Sequence, residues 1–389
     1  MRTVTVITGA RSDYGIYRPI LQRIAAHPAL RLELMVTGMH LTPEYGLTVR
    51  QIEQDGYTIR DRIECLTAAD TPNAIAQAMG LALIGFAQAF SRQRPELLLA
   101  LGDRFEMLAA VQAAMPFKIP VAHLHGGEST EGLIDEPIRH SITKLSHYHF
   151  ASTRTYADRI IQMGESPARV FVSGAPSLDN LRSVTLLSTE ELRKRHGLVI
   201  SEPPLLVTFH PVTLEYEQAA RQIDDVLAAI EATGQPVIFT FPNADTSGRI
   251  IIQRIEQFVA AHPQAQVAVN LGTQGYFSAM RHAAAMVGNS SSGIIEAASF
   301  ELPVVNIGNR QRGRVHAENV LDCECHRDEI LHAIQRAASP EFRASLSGLV
   351  NPYGDGHAAE RIVDVLASAR LDDGVILKRF HDLPRLRAA

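Results

Sequence analysis

The chain has 389 residues, 46% of them hydrophobic, with 37 basic and 42 acidic side chains and a formal net charge of −5. This length exceeds what one hydrophobic core usually supports, so the composition predicts a soluble globular protein of two domains. The slight acidic excess excludes a basic field for nucleic acid, so an anionic ligand has to be held by local arginines and backbone amides. We therefore expect a small-molecule partner and no nucleic acid.

Three cysteines, Cys65, Cys323 and Cys325, indicate a reducing compartment and argue against a disulfide framework. The first residues, MRTVTVITGA, lack the basic and apolar pattern of a secretory signal. No apolar run reaches the length of about 18 residues that a membrane span needs. The sequence therefore predicts a cytoplasmic protein that has no membrane partner.

In the first half of the chain, short apolar runs rich in β-branched residues alternate with stretches of helical spacing. Strands are predicted at residues 4–8, 32–37, 97–101, 120–124, 148–152 and 170–173. Helices are predicted near residues 104–114, 136–147 and 154–163. Strict alternation of buried strands with helices predicts a parallel sheet that is covered on both faces.

The strand period breaks at residues 174–180, after which Ser188 and Glu191 have the spacing of a capping box that opens a helix. Strands are then predicted at residues 205–209, 237–241, 267–269, 285–287 and 304–307, with a last amphipathic helix near residues 356–370. We therefore predict a first domain over residues 1–176, completed by the tail 370–389, and a second over residues 177–369. The fold class is α/β, with two doubly wound parallel-sheet (Rossmann-like) domains facing each other across a cleft, where the carboxyl ends of the strands bind ligands.

Two loops of the second half suit a phosphate-bearing ligand. The sequence GNSSSGIIE puts Ser290 and Ser291 at the start of a helix, where a diphosphate can bind, and Glu296 in its first two turns, where a ribose diol can bind. Helix capping alone would account for one of the serines. The next predicted strand leads into GNRQRGR, and Arg310 or another of these arginines can clamp a diphosphate, although at least one is expected in a solvated loop.

Three further loops carry candidates for the same ligand. The loop TGARSDYG puts Arg11 at a helix start, but the dinucleotide spacing G-x-G-x-x-G is absent and Arg11 is as readily an ordinary surface charge. His210 ends a predicted strand in TFHPVT, and Asn243 follows the next strand in FPNADTSG. A lone histidine is more often structural than catalytic, but a strand-end position favours contact with a ligand.

The stretch 97–146 concentrates carboxylates and imidazoles at predicted strand ends. Asp103, in LGDRFE, can act in catalysis or simply cap the following helix. His123 and His125 alternate on a strand and are expected to point the same way, so a metal pair is an alternative interpretation. Cys323 with its neighbours Glu-Cys-His is a second, weaker metal candidate, because it lacks the other half of a zinc site.

An ordered set of motifs spans essentially the whole chain: TGARSDYG, VTGMH, LGDR, HLHGGE, IDEPIRHSITKLSH, FHPVT, PNADTSG, GNSSSGIIE and GNRQRGR. Each motif is weak alone, but the ordered set resembles the hydrolysing UDP-N-acetylglucosamine 2-epimerases of sialic acid biosynthesis. The resemblance implies a two-domain fold of the glycosyltransferase-B type, with a C-terminal helix that crosses back to the first domain. It also implies a homodimer or homotetramer.

The resemblance implies hydrolysis of UDP-N-acetylglucosamine to UDP and N-acetylmannosamine, with no cofactor, neither metal nor nicotinamide. The family removes the C2 proton and eliminates UDP to give a 2-acetamidoglucal, then adds water with inversion at C2. This chemistry needs a base near C2, an acid or positive group near the leaving phosphate, and a group that positions water. The same motifs would serve a UDP- or GDP-linked 2,4-diacetamido-2,4,6-trideoxyhexose for legionaminic-type acids, and a glycosyltransferase or an inactive nucleotide-sugar sensor are further alternatives.

The candidate residues divide into two groups. The catalytic candidates are Asp103, His125, Glu128, Asp135, Glu136 and His210. The candidates for binding UDP are Arg11, Arg104, His210, Asn243, Ser290, Ser291, Glu296 and Arg310. One departure from the family pattern is His125, because several members carry a glutamate at this position. An imidazole in place of a carboxylate changes the pH range in which the position can act as a base.

Overall fold

The computed structural model describes residues 1–67, 69, 71–242, 247–269 and 271–383. The chain divides into two compact units, each built from separate segments. The first unit comprises Met1–Glu128, Asp135–Asp179 and Tyr353–Ala389, and the second comprises Ser129–Ile134 and Asn180–Pro352.

The strands of each unit form one sheet in which all the pairings are parallel. In chain order the strands are β1 Arg2–Thr8, β2 Leu30–Thr37, β3 Ile59–Ile63, β4 Leu97–Leu101, β5 Val121–Leu124, β6 Tyr148–Ala151, β7 Val170–Val172, β8 Leu205–Thr208, β9 Val237–Thr240, β10 Ala265–Ala268, β11 Ala285–Gly288, β12 Val304–Ile307 and β13 Val320–Cys323. The order is β3-β2-β1-β4-β5-β6-β7 in the first unit and β10-β9-β8-β11-β12-β13 in the second.

Helices connect most of these strands. In chain order the α-helices are α1 Arg11–Ala26, α2 Val49–Gln54, α3 Pro72–Arg92, α4 Phe105–Ala114, α5 Asp135–Leu145, α6 Arg154–Gln162, α7 Asn180–Ser183, α8 Thr189–His196, α9 Ala219–Thr233, α10 Gly248–Ala261, α11 Gly272–His282, α12 Ser291–Ile295, α13 Arg327–Ala338, α14 Pro340–Ser345, α15 Ala358–Ser368 and α16 Asp373–Ile376. The predicted capping box at α8 is confirmed, since Ser188 and Glu191 bond reciprocally to each other's backbone amides.

Alternate residues of β4 pack on opposite faces of the first sheet. Leu97 and Leu99 join a buried cluster with α1 and α15, whereas Leu98 and Ala100 join a second cluster with α3 and α4. In the second unit, Leu205 of β8 packs in the same manner against α9, α10 and α13. A period of two along buried strands places apolar side chains on both faces. The predicted doubly wound parallel α/β architecture is confirmed.

The sequence pattern did not reveal β3 and β13, which are edge strands. In β3 the segment IRDRI carries Arg60, whose guanidinium pairs with Glu33 at 3.0 Å and with Asp61 at 2.7 Å. An edge strand exposes one side and tolerates charged side chains, so it lacks the apolar run that marks a central parallel strand. Position in the sheet, rather than local hydrophobicity, decides that these segments are strands.

The chain returns to the first unit at Tyr353, earlier than the predicted residue 370. The hydroxyl of Tyr353 lies 2.9 Å from that of Tyr156, and Asp179 accepts the first two backbone amides of α15 at 2.9 and 2.7 Å. Ile362 and Leu366 of α15 are fully buried in the cluster that contains β1 and β4. The assignment of this helix to the second domain is therefore corrected, because a strong amphipathic pattern shows that a helix packs but not against which sheet.

Among the described residues, α3 is the helix that is long and apolar enough to cross a membrane by length and composition. This helix does not contradict the expectation that no apolar run reaches about 18 residues, because Asn73, Gln77 and Gln88 interrupt its apolar residues. Leu81 and Ile84 are exposed, but Phe86 and Phe90 are buried against the sheet. Core helices of soluble proteins pass the same test, so it is a weak indication of a membrane. The cytoplasmic location and the oligomeric state stay predictions.

Three buried histidines of the first unit are held neutral. Burial lowers the pKa of His40 to about 4, with a contribution from Arg104, and lowers the pKa of His123 to about 3. The pKa of His147 is lowered to about 4, mainly by burial and also by Lys378 and Arg169. The pKa of Asp13 shifts in the opposite direction, because burial of its carboxyl raises it to about 6.

We expect the free energy of unfolding to decrease as the pH falls from about 6.5 to 4. In that window the unfolded chain protonates these histidines while the folded chain does not, so each contributes a loss of roughly 1.4 kcal/mol per pH unit. Below pH 6 the Asp13 carboxyl offsets this loss by about one proton, because it takes up a proton at a higher pH in the folded chain than in the unfolded chain. Urea unfolding at pH 7, 6 and 5 measures the slope, and a His123→Gln variant should flatten it by about one proton. An unchanged free energy across this range would contradict the expectation.

Candidate active site

Arg139 lies fully buried among acidic side chains of the first unit. Its Nε donates to Asp103 Oδ2 at 3.1 Å and its Nη2 pairs with the same carboxylate. Its Nη1 donates to Glu136 Oε2 at 2.6 Å and to the backbone carbonyl of Glu128 at 3.0 Å. The planar guanidinium therefore holds two carboxylates in a fixed geometry. We refer to Asp103, His125, Glu128, Glu136 and Arg139 as the acidic cluster.

The parallel sheet assembles this cluster at one edge. Asp103 follows β4 after Gly102, which has φ of +70°, a left-handed conformation that suits glycine. Glu136 and Arg139 are three residues apart on α5 and therefore lie on one face of that helix. Asp135 is the first residue of α5 and is half-buried, in the position where the helix dipole favours a negative charge. Carboxyl ends of parallel strands and the helices that follow them meet at the same sheet edge.

His125 lies directly after β5 with φ of +62°, a conformation that is uncommon for a residue other than glycine. Its Nδ1 lies 2.6 Å from Glu128 Oε1, and the hydroxyl of Ser152 donates to that same oxygen at 2.7 Å. The opposite ring nitrogen, Nε2, is buried and has no hydrogen-bond partner among the described residues. His125 therefore presents one bound and one unsatisfied nitrogen.

The two histidines of HLHGGE differ in their contacts and do not form a pair of metal ligands. His123 Nε2 lies 2.7 Å from the carbonyl of Gly102, and its Nδ1 lies 3.2 Å from Thr143 Oγ1, so both nitrogens are engaged in the core. His125 lies outside the strand, because β5 ends at Leu124 and the backbone turns left-handed at His125, so strand alternation does not relate its side chain to that of His123. Within the part of the chain that the structure describes, no group of three or more His, Cys, Asp or Glu side chains is placed to hold a metal ion.

Arg104 is the N-cap residue of α4 and donates from Nη2 to Glu106 Oε1 at 3.2 Å. Glu106 is fully buried, so it fixes the guanidinium beside the end of β4. The loop after β1 is held by Asp13, whose Oδ2 accepts the backbone amides of Gly9 and Ala10, each at 3.1 Å. Arg11 is the first residue of α1 and is exposed.

In the second unit, the backbone of His210 is clamped by a buried asparagine. Asn289 Oδ1 accepts the His210 amide at 2.7 Å, and Asn289 Nδ2 donates to the His210 carbonyl at 2.9 Å. The carbonyl of Asn289 in turn accepts Arg310 Nη1 at 3.0 Å. Burial, together with the charge of Arg310, lowers the pKa of His210 well below its usual value, so the ring is neutral at pH 7.

The serine loop after β11 lies beside this histidine on the same sheet, because β8 and β11 are neighbours. Ser290 is the N-cap of α12 and accepts the amide of Ser292 at 3.4 Å, and Ser291 begins the helix. Glu296, at its end, is buried. The Tyr276 hydroxyl lies 3.4 Å from Thr208 Oγ1 and also hydrogen-bonds to Ser290 and Ser292 of the serine loop. Hydroxyls, a carboxylate and a phenol are thus gathered at one edge of the second sheet.

The structure therefore distributes the UDP candidates over both units. His210, Ser290, Ser291, Glu296 and Arg310 lie in the second unit, in the segments that follow β8, β11 and β12. Arg11 and Arg104 lie in the first unit, after β1 and β4. Asn243 lies outside the described residues.

Four residues of these sites were not among the sequence candidates: Arg139, Ser152, Tyr276 and Asn289. Arg139 and Asn289 fall inside the motifs IDEPIRH and GNSSSG, so membership of a motif was an available signal. Ser152 and Tyr276 lie outside every motif, and their contacts come from distant parts of the chain. Local sequence offers no signal for such contacts.

A family model described as UDP-N-acetylglucosamine 2-epimerase matches residues 22–367, most of the chain. The chain belongs to the UDP-N-acetylglucosamine 2-epimerase family. Its similarity to relatives within this epimerase family extends over their full lengths. The Legionella pneumophila UDP-N,N'-diacetylbacillosamine 2-epimerase (hydrolyzing) is 38% identical, covering 97% of this chain and 99% of that protein. The Campylobacter jejuni GDP/UDP-N,N'-diacetylbacillosamine 2-epimerase (hydrolyzing) is 34% identical (98% and 99%), and a Neisseria meningitidis UDP-N-acetylglucosamine 2-epimerase is 31% identical (98% and 100%).

Solved structures of the epimerase family share this fold. The crystal structure of UDP-GlcNAc 2-epimerase from Neisseria meningitidis bound to UDP-GlcNAc has a TM-score of 0.80, covering 95% of this chain and 100% of that one at 17% identity. The S. aureus MnaA–UDP co-structure has a TM-score of 0.79, covering 99% and 100% at 17% identity. The resemblance to the hydrolysing 2-epimerases and the expected glycosyltransferase-B-type fold class are both confirmed.

Proposed function

We propose that this protein hydrolyses a UDP-linked 2-acetamido sugar with inversion at C2, and that UDP-N,N'-diacetylbacillosamine is its substrate. The observation that carries the proposal is the full-length identity of 38% and 34% to two hydrolysing epimerases named for that sugar. Their substrate is a 2,4-diacetamido-2,4,6-trideoxyhexose, one of the two sugars that the sequence left open. The products would be UDP and the free 2-epimer.

The second candidate is UDP-N-acetylglucosamine, with N-acetylmannosamine as product. It is favoured by the 31% identity to the Neisseria meningitidis enzyme and by the description of the family model. The two sugars differ at C4 and C6, remote from the bonds that change. The same acid–base groups would therefore serve both, and selectivity would depend on contacts to the 4-acetamido group. A site that hydrogen-bonds such a group rejects an analogue that lacks it.

The acidic cluster supports the elimination step. A base takes the C2 proton, the C–H electrons form the C1=C2 bond, and the C1–O electrons leave with the diphosphate. Water then adds its hydroxyl to C1, and a proton reaches C2 from the opposite face. Asp103, Asp135 and Glu136 supply carboxyl groups for these transfers, and Arg139 fixes the positions of two of them.

The second unit supports binding of the nucleotide. Ser290 and Ser291 offer hydroxyl and backbone donors, and Arg310 offers a guanidinium, all suited to a diphosphate. Glu296 offers a buried carboxylate that can accept hydrogen bonds from a ribose diol. His210 is neutral, so it can donate one hydrogen bond to a phosphate oxygen while adding no charge. Arg11 and Arg104 of the first unit are further phosphate contacts in this proposal.

Incubation in heavy water with UDP-N,N'-diacetylbacillosamine, its GDP analogue and UDP-N-acetylglucosamine tests the proposal. We expect UDP and a free sugar that carries one deuterium at C2, with no acceptor added, and a kcat/KM at least about 10-fold higher for the diacetamido sugar. Mass spectrometry and proton NMR identify the products. A higher kcat/KM for UDP-N-acetylglucosamine would establish the second candidate instead. Sugar release only with an acceptor, or without deuterium at C2, would contradict elimination and favour a glycosyltransferase.

A further inference from the structure

The hydrogen bonds around His125 indicate a more specific role than membership of the acidic cluster. Glu128 Oε1 is shared by two donors, since it lies 2.6 Å from His125 Nδ1 and accepts the Ser152 hydroxyl at 2.7 Å. Glu128 is 1% exposed and Ser152 is 2% exposed, so water does not compete for these bonds. A buried carboxylate that faces an imidazole and a hydroxyl is a strong acceptor for both of their protons.

The second ring nitrogen, Nε2, differs from Nδ1 in its hydrogen bonding. His125 Nε2 is buried and lacks a hydrogen-bond partner among the described residues. Leaving a buried polar atom without a hydrogen bond is unfavourable, so such an atom calls for an explanation. The backbone adds to this cost, because His125 is held at φ of +62° between β5 and Gly126. Strain and an unsatisfied nitrogen at one residue are typical of a group that awaits a ligand.

We propose that Glu128 and Ser152 are positioning residues that keep the proton of His125 on Nδ1, so that Nε2 is the base that removes the C2 proton. The inference rests on the proposed function and names the base that the sequence left open. It also changes the role of Glu128 from a catalytic candidate to a residue that acts through His125. In this chain a histidine with a fixed tautomer occupies the position where several family members carry a glutamate.

The step balances without a further reactant. The C2 proton moves to Nε2, the C2–H electron pair forms the C1=C2 bond, and the C1–O pair leaves on the diphosphate. The resulting imidazolium is stabilised by the Glu128 carboxylate 2.6 Å from its Nδ1, and it returns its proton to water when UDP leaves. A carboxylate of the acidic cluster then takes a proton from solvent and delivers it to C2, while the water that supplies the hydroxyl at C1 releases its other proton to solvent.

The fold explains why these three side chains meet. β5 and β6 are neighbours in the first sheet, so the residues that follow them, His125 and Ser152, lie at the same edge. The His125 amide donates to the Phe150 carbonyl at 3.1 Å, which ties the turn to β6. Two glycines after His125 then bring Glu128 back beneath the imidazole. Gly127, with φ of +75°, has no room for a side chain, because a Cβ would lie 2.4 Å from the Tyr156 carbonyl.

Three variants test the positioning roles in the full-length protein. Glu128→Gln keeps the size of the side chain, but its amide can donate to Nδ1 and favour the wrong tautomer. We expect kcat to fall about 10²- to 10⁴-fold, with KM changing less than about threefold. Ser152→Ala should lower kcat about 10-fold, since it removes one charge-assisted hydrogen bond. Ser173→Ala is the matched control and should keep the wild-type kcat, because this buried serine follows β7 and its hydroxyl bonds to the backbone carbonyls of Ala151 and Gly174.

A measurement without substrate separates this inference from the proposed function. Long-range ¹H–¹⁵N correlation spectra of histidine-labelled wild-type protein distinguish the two tautomers, with His125→Gln identifying the resonance. We expect the proton on Nδ1 alone at pH 7.5. A proton on Nε2, a doubly protonated ring or a wild-type kcat in Glu128→Gln would each overturn the proposal. Lack of turnover of every sugar nucleotide by wild-type protein would instead refute the proposed function, and the spectra would still decide the tautomer if a variant failed to fold.

Discussion

Replacing His125 by alanine is expected to lower kcat about 10³-fold while the affinity for UDP stays within about twofold of wild type. The reason is that His125 belongs to the acidic cluster of the first unit, whereas most of the proposed UDP contacts lie in the second unit. Removal of the proposed base raises the barrier to loss of the C2 proton. It leaves the serine loop, Glu296 and Arg310 unchanged.

Glu296→Gln provides the reciprocal variant. It keeps the volume of a buried side chain but removes the charge proposed to accept from the ribose diol. UDP affinity should fall about 10-fold, with a smaller change in kcat. Steady-state kinetics and isothermal titration calorimetry with UDP measure both quantities for both variants. Equal losses of kcat and UDP affinity in His125→Ala would contradict its catalytic assignment, and unchanged UDP affinity in Glu296→Gln would remove that residue from the nucleotide site.

Replacing Arg139 by methionine is expected to lower the free energy of unfolding by about 3–5 kcal/mol, the largest effect on stability among the variants considered. Arg139 is fully buried and bonds to Asp103, Glu136 and the Glu128 carbonyl. Methionine matches much of its volume, so the loss comes from carboxylates that lose their counter-charge. Arg139→Lys restores a charge but not the planar fork, and should recover only part of the stability.

The matched control for this variant is Arg221→Met. Arg221 pairs with Asp225 at 3.2 Å on an exposed face of α9, with 53% of its side chain accessible. Exposed ion pairs one helical turn apart contribute about 0.3–0.5 kcal/mol, so its stability should barely change. Urea unfolding followed by circular dichroism compares the two. Similar small losses in both variants would show that the acidic cluster does not depend on Arg139 for its charge balance.

Much of the fold follows from local pattern. The central strands β1, β4, β5, β8 and β12 are short apolar runs bounded by loops, and burial on both faces of a parallel sheet requires such runs. The edge strands β3 and β13 were not predicted, because an edge strand exposes one side and does not require such an apolar run. Helix α15 was predicted correctly as a helix but assigned to the wrong domain, because amphipathicity carries no information about the partner surface.

The candidate site was likewise predicted in part. Motifs at strand ends identified most of the side chains at the two sheet edges, since parallel strands bring their carboxyl ends together. A metal pair of His123 and His125 is not supported, because both ring nitrogens of His123 are hydrogen-bonded in the core and strand alternation ends with β5 at Leu124. Tyr276 escaped notice because its place beside the serine loop comes from α11, a separate element of the second unit.

The sequence by itself determined the α/β class, the family and the chemical types of the groups at each sheet edge, because these depend on residue identity and on spacing along the chain. Only the tertiary structure decided which of these groups form hydrogen bonds with one another. Arg139 reaches Asp103 across 36 positions, Ser152 reaches Glu128 across 24, and Asn289 reaches His210 across 79. Hydrogen bonds between residues so far apart exist only once neighbouring strands have paired, so local sequence cannot specify them.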